Sequence, residues 1–127
     1  GPRLVLVHGT PTLNTVYFTA DRSDDFCRKM AATVGLTAGD MLAFGHTHRP
    51  WHRTVDGIHF LNTGSVGRPK DGDWRAGYVV VTLGDTPAQV EFVRVPYDLE
   101  ATVEGVRAAG LPEEFGAFLR SGGTSTT

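Results

Sequence analysis

Met41-Leu42-Ala43-Phe44-Gly45-His46-Thr47-His48-Arg49-Pro50 runs from an apolar stretch straight into a glycine and two histidines one residue apart. A short, unbroken apolar run bounded by Asp40 and Gly45 reads as a strand buried on both faces. The chain opens on a similar arrangement, Leu4-Val5-Leu6-Val7 followed by His8-Gly9-Thr10-Pro11, so both apolar runs end in histidine. Between them, Ser23 is an N-cap candidate, with Asp24 and Asp25 where the helix dipole favours anions. Phe26, Met30 and Val34 recur at helical spacing until Gly35 stops the helix. Strand, helix, strand in this order predicts a right-handed parallel unit. Ligands of open α/β sheets gather at the carboxyl ends of the strands, so His8, His46 and His48 are expected to converge at one rim.

The same logic extends toward the C-terminus. Asp56-Gly57 is a two-residue turn signal that pairs Val55 with Ile58, Arg53 with Phe60 and Trp51 with Asn62. That register gives the hairpin one apolar face of Trp51, Val55, Ile58 and Phe60, and another of His52, Thr54, His59 and Leu61. His52 and His59 are read as exposed residues of that second face. A short strand is expected over Val16-Tyr17-Phe18, and an ordered, Gly-rich loop from Asn62 to Gly77. Two strands, Tyr78 to Leu83 and Gln89 to Val95, flank Gly84-Asp85-Thr86-Pro87. Asp98 caps a helix reaching about Ala109, and Pro112 fits the start of a last one. The Gly/Ser/Thr-rich residues 121–127 are expected to be a disordered tail.

Composition bounds the function classes. The 127 residues are 40% hydrophobic and 20% charged, with a net charge of -2, which gives no global attraction to nucleic acid or an acidic membrane. No apolar run approaches the roughly 18 residues of a spanning helix. The single cysteine, Cys27, precludes an internal disulfide, reads as a small buried hydrophobe and suits a reducing cytoplasm. The chain lacks an initiating Met and opens on a strand that normally has neighbours on both sides. It is therefore expected to be part of a longer protein.

Imidazole suits Zn, Fe, Ni and Cu, whereas Mn favours added carboxylates. If His46 to His48 is extended, their side chains share one side, roughly 7 Å apart at the backbone. That would serve two metal ions about 3.5–4 Å apart. A His-x-His pair by itself is also consistent with a solvated loop, and the third histidine at a neighbouring strand end is what favours metal. Arg49 and Arg68 are candidates to approach a phosphate. Gly64-Ser65 is read either as an anion nest or as a structural turn.

Gly45-His46-Thr47-His48-Arg49-Pro50 after an apolar strand resembles the final Gly-His-x-His motif of the calcineurin-like metallophosphoesterases. His8-Gly9-Thr10-Pro11 is similar to their preceding His-Gly motif. Asn62-Thr63-Gly64-Ser65-Val66-Gly67-Arg68-Pro69, Asp71-Gly72-Asp73 and Arg75-Ala76-Gly77-Tyr78 resemble the following segment of the small bacterial phosphodiesterase branch. The resemblance runs from about residue 4 to residue 96. It implies an α/β fold, residues 1–120 being the C-terminal portion of a four-layer α/β/β/α sandwich with mixed sheets. It further implies hydrolysis of phosphate mono- or diesters by two divalent ions (Mn, Fe, Zn or Ni). His8 and His46 would bind one ion and His48 the other.

The family's Asp-x-His, Gly-Asp-x-x-Asp and Gly-Asn-His-Asp/Glu motifs lie N-terminal to this region and have no counterpart here. The expectation is accordingly a phosphoesterase formed with a missing N-terminal half or with a second copy of the chain, the fragment alone being inactive. The alternatives are a non-catalytic metal-binding pseudoenzyme domain and a mononuclear three-histidine zinc protein.

Overall fold

The computed structural model describes residues 1–84 and 87–125. Its elements are β1 (Leu4–Leu6), α1 (Asp24–Thr33), β2 (Met41–Phe44), β3 (Trp51–Val55), β4 (Ile58–Asn62), β5 (Ala76–Thr82), β6 (Gln89–Val95), α2 (Leu99–Ala108) and α3 (Glu113–Arg120). One sheet has the order β1-β2-β4-β3, and β5 and β6 form a second. The mixed α/β architecture expected from the sequence is the one observed. β1, β2 and β4 run parallel, while β3 returns antiparallel to β4.

Local chemistry explains these boundaries. Ser23 caps α1, its hydroxyl accepting from Phe26 N at 3.0 Å. Asp98 caps α2, accepting from Ala101 N at 3.1 Å. The Asp56-Gly57 turn sets the β3/β4 register as read from sequence, with Trp51 opposite Asn62 and Val55 opposite Ile58.

The period-2 alternation of the strands builds two cores on opposite faces of the larger sheet. Leu42, Phe44, Val55 and Phe60 bury one face against Phe18 and against Cys27, Met30 and Ala31 of α1. Met41, Ala43 and Leu61 bury the other against Val79, Val81 and Val90 of the second sheet. Helix, sheet and sheet are thereby stacked in layers, and burying each such large side chain stabilises by about 1.5–3 kcal/mol. α2 and α3 pack on each other. The Arg120–Glu100 ion pair at 2.8 Å joins them.

Three local expectations change. β1 is not buried on both faces. Among the described residues it is an edge strand paired only with β2, and Leu4 and Leu6 are 44% and 71% exposed. Val16 to Phe18 is not a strand, because Phe18 is drawn into the core instead of pairing. Residues 121–125 do not hang free: Gly122 O accepts from Gly72 N at 2.9 Å, and Gly123 N donates to Phe118 O at 2.9 Å. Gly122 is required there, since a Cβ would lie 2.5 Å from Asp73 N with φ at +63°. Thr126 and Thr127 lie outside the described residues, as do Asp85 and Thr86 of the loop between β5 and β6.

Candidate metal centre

The turn after β2 carries the site, and its geometry is not the extended one expected. His46 and His48 have φ of +66° and +61°, in the left-handed region that non-glycine residues rarely adopt. Thr47 N donates to Gly45 O at 2.7 Å, closing a three-residue turn centred on His46. Gly45 itself does not take a positive φ, so the sharp bend expected of the glycine is made by the histidines. Strained backbone of this kind persists only where surrounding contacts over-determine it.

Asn62 supplies those contacts. It is fully buried at the end of β4, beside Phe44 in the register. Its Nδ2 donates to Gly45 O at 3.0 Å and to Thr47 Oγ1 at 2.9 Å. Its Oδ1 accepts from Gly64 N at 2.9 Å. Gly64 also packs against the Pro50 ring, so the Gly64-Ser65 segment is a structural turn behind the site.

Each histidine of the turn has one ring nitrogen tied to a backbone carbonyl. His46 Nε2 lies 3.2 Å from Thr15 O, and His48 Nδ1 lies 2.8 Å from Arg68 O. A carbonyl only accepts, so these nitrogens carry the protons and the lone pairs fall on His46 Nδ1 and His48 Nε2. Metal-binding imidazoles are commonly oriented by this kind of carbonyl contact.

The His46 lone pair faces His8, with His8 Nε2 and His46 Nδ1 3.0 Å apart. The ring centroids are 4.8 Å apart and the planes meet at 61°. Two nitrogens each about 2.1 Å from one cation, at angles from octahedral to tetrahedral, stand about 3.0–3.4 Å apart. The pair, at hydrogen-bond distance, therefore also has a spacing that would suit a shared ion. His52 and His59 offer a comparison: their nitrogens are also 3.0 Å apart, but the centroids are 5.2 Å apart and the planes differ by only 14°. Nearly coplanar rings joined by an in-line N–H···N bond of about 3 Å have that separation, so this second pair is a hydrogen bond, on the hairpin face that also carries Leu61. Burial and the neighbouring His59 lower the His52 pKa from 6.5.

Among the described residues, no three His, Cys, Asp or Glu side chains surround a point suited to a cation. His8 and His46 are brought together and His48 is held against Arg68 O, so the three histidines expected at one rim do not form a single ligand group among the described residues. Arg68 contributes through its carbonyl. Its guanidinium lies 4.2 Å above the Phe118 ring. Arg49 is exposed, and its guanidinium makes no hydrogen bond, ion pair or ring contact among the described residues.

Sequence reasoning missed Thr15 and Tyr17. Tyr17 stacks on His46 with centroids 4.3 Å apart and planes at 23°. No motif marks either residue. The one available signal was the glycine of His8-Gly9: a Cβ there would lie 2.5 Å from Asn14 O and 2.8 Å from Val16 O. That close approach folds the following loop back over the strand ends.

A mixed α/β layered fold with a histidine-lined strand rim is the class this structure defines. Residues 1–86 match the calcineurin-like phosphoesterase superfamily domain, and the chain belongs to that superfamily, whose members generally use divalent metals. It is 28% identical over 136 residues to an uncharacterized protein of Methanocaldococcus jannaschii, covering 94% of this chain and 51% of that protein. It is similar to the crystal structure of a metallophosphoesterase from Sphaerobacter thermophilus, with a TM-score of 0.79, 26% identity and coverage of 96% of this chain and 57% of that one. It also shares the fold of a hypothetical protein from Pyrococcus horikoshii, with a TM-score of 0.78, 21% identity and coverage of 97% and 47%. The chain spans about half the length of each of these relatives. Among the described residues, no helix is long and apolar enough to cross a membrane.

Proposed function

We propose that this chain is the histidine-bearing side of a dinuclear phosphoesterase centre, completed by carboxylates from outside residues 1–127. The observation that carries the reading is the pairing of His8 Nε2 with His46 Nδ1 at 3.0 Å, at the ends of neighbouring parallel strands. His8 and His46 hold one divalent ion, and His48 presents Nε2 to the other. Bound divalent ions supply a hydroxide near neutral pH and offset the charge of phosphoryl oxygens. The chain's own part is orientation: Thr15 O and Arg68 O fix which nitrogen of each imidazole is free. Arg49, exposed directly after His48, pairs with a phosphate oxygen on this reading. Arg68 reaches substrate only on leaving Phe118.

A cation held by imidazoles alone gains no bridging carboxylate to keep a second beside it. The chain alone is therefore inactive toward phosphate mono- and diesters. The open edge of β1, with Leu4 and Leu6 exposed, receives the completing segment, either an N-terminal half or a second copy. The His8–His46 pair would hold a cation without any carboxylate, which favours a second reading, a non-catalytic metal-binding domain.

The test is to read the coding sequence preceding Gly1 and to assay an aryl phosphodiester with Mn2+ or Zn2+. On this proposal, Asp-x-His and Gly-Asp-x-x-Asp motifs lie upstream, and the longer product hydrolyses the ester and loses activity in His46→Ala. An initiating codon at Gly1 with no hydrolysis supports the second reading. Hydrolysis that survives His46→Ala contradicts both.

A further inference from the structure

We infer that Tyr17 is a positioning residue for His46, acting with Thr15 as a clamp that fixes the plane and tautomer of this imidazole. A histidine ring turns freely about its Cβ–Cγ bond through a broad range, because that torsion has no sharp staggered wells. The Thr15 carbonyl accepts one hydrogen bond at 3.2 Å, which selects the protonated nitrogen but leaves the ring able to swing about that contact. The Tyr17 ring lies flat against His46 at 4.3 Å and 23°, which closes off the swing. The two contacts together aim His46 Nδ1 at His8.

The segment that delivers these contacts is itself fixed from behind. Phe18 is fully buried and stacks on Phe44 at 4.4 Å with planes 5° apart. Trp51 Nε1 donates to Phe18 O at 3.2 Å, and Arg22 Nη2 donates to Tyr17 O at 3.1 Å. Thr10 Oγ1 ties the loop's start by donating to Leu13 O at 3.0 Å. Tyr17 nonetheless leaves 53% of its surface exposed, and its hydroxyl has no hydrogen bond among the described residues. Neither core packing nor hydroxyl chemistry accounts for an aromatic there. Its contact with His46 does.

The test uses the 127-residue chain with Tyr17→Leu, Tyr17→Phe and Tyr17→Trp. In the metal-free chain, imidazole nitrogen NMR should show one His46 tautomer, protonated on Nε2, in the parent, Tyr17→Phe and Tyr17→Trp. Tyr17→Leu should keep that tautomer, which Thr15 O selects, but broaden and shift the His46 ring signals as the ring swings. Zn2+ affinity by calorimetry should fall about tenfold in Tyr17→Leu and stay near the parent in the aromatic variants, as expected when an outer partner of a ligand is lost. Thermal unfolding should stay unchanged in all three, since Tyr17 lies outside the core. An unaltered His46 spectrum and Zn2+ affinity in Tyr17→Leu would overturn the inference, as would a Tyr17→Phe variant as impaired as Tyr17→Leu. The metal arm rests on the proposed centre and the NMR arm does not. A parent chain that binds no Zn2+ would count against the centre while the NMR still decides the role of Tyr17.

Discussion

His8 Nε2 stands 3.0 Å from His46 Nδ1, although the residues are 38 positions apart in the chain. The contact exists because β1 and β2 pair in parallel with Leu6 beside Ala43, which brings their carboxyl ends to one rim. Gly45 N donates to His8 O at 2.9 Å and continues the ladder into the turn. The side-chain geometry of the site is thus inherited from backbone pairing.

Asn62 should be as important to the site as either histidine, without touching a ligand. Replacing it by Leu keeps the volume but removes its bonds to Gly45 O, Thr47 Oγ1 and Gly64 N. Leaving such buried groups unpaired costs about 1–3 kcal/mol. Chemical denaturation should show a loss in that range, together with disordered His46 and His48 signals. A loss under about 0.5 kcal/mol, within the ordinary scatter of surface changes, would show that the turn is held by something else.

Acid should weaken the docking of the second sheet on its preceding loop. Hydrogen bonding from Arg75 holds the Asp73 carboxyl at about 2, against an ordinary 3.8. A lowered folded-state pKa means the contribution is present above about pH 4 and is lost as pH falls toward 2. Its size is at most about 2 kcal/mol. Thermal melts of the parent and Asp73→Asn should differ at pH 6 and converge near pH 2. A constant difference across that range would mean that charge is not what Asp73 contributes.

The exposed edge of β1 should make the isolated chain self-associate. Leu6 is 71% exposed beside an unpaired backbone edge, the arrangement that favours strand-to-strand pairing. Light scattering should report species larger than a monomer at tens of micromolar. Leu6→Lys should shift them toward monomer with little change in melting temperature, because Leu6 contributes little to the core. A monomeric parent chain would remove β1 as a pairing edge.

The parts of the fold carried by local signals were legible. Ser23 and Asp98 cap their helices, Asp56-Gly57 fixes the hairpin register, and the apolar run at Met41 to Phe44 is buried throughout. The run at Leu4 to Val7 looks the same by composition but lies at an edge, because burial depends on what packs beside a strand. The site was half legible. Histidines at strand ends can be read from a motif, but the sequence carries no sign that His46 and His48 take positive φ. Thr15 acts through a backbone carbonyl that any residue would supply, and Arg68 does the same for His48, so neither role leaves a mark on residue type. Tyr17 reaches His46 only through a loop fold set by Phe18 and Gly9.

The most direct test of the centre is a Zn2+ titration of the nitrogen-labelled chain, followed at the imidazole nitrogens. His8 Nε2 and His46 Nδ1 should shift together with a single midpoint, and His8→Ala and His46→Ala should each abolish the shift of the other. His52 and His59, joined by an in-line hydrogen bond, should respond only at much higher Zn2+. Independent responses of His8 and His46, or earlier binding at His52 and His59, would contradict the assignment of a shared cation to the His8–His46 pair.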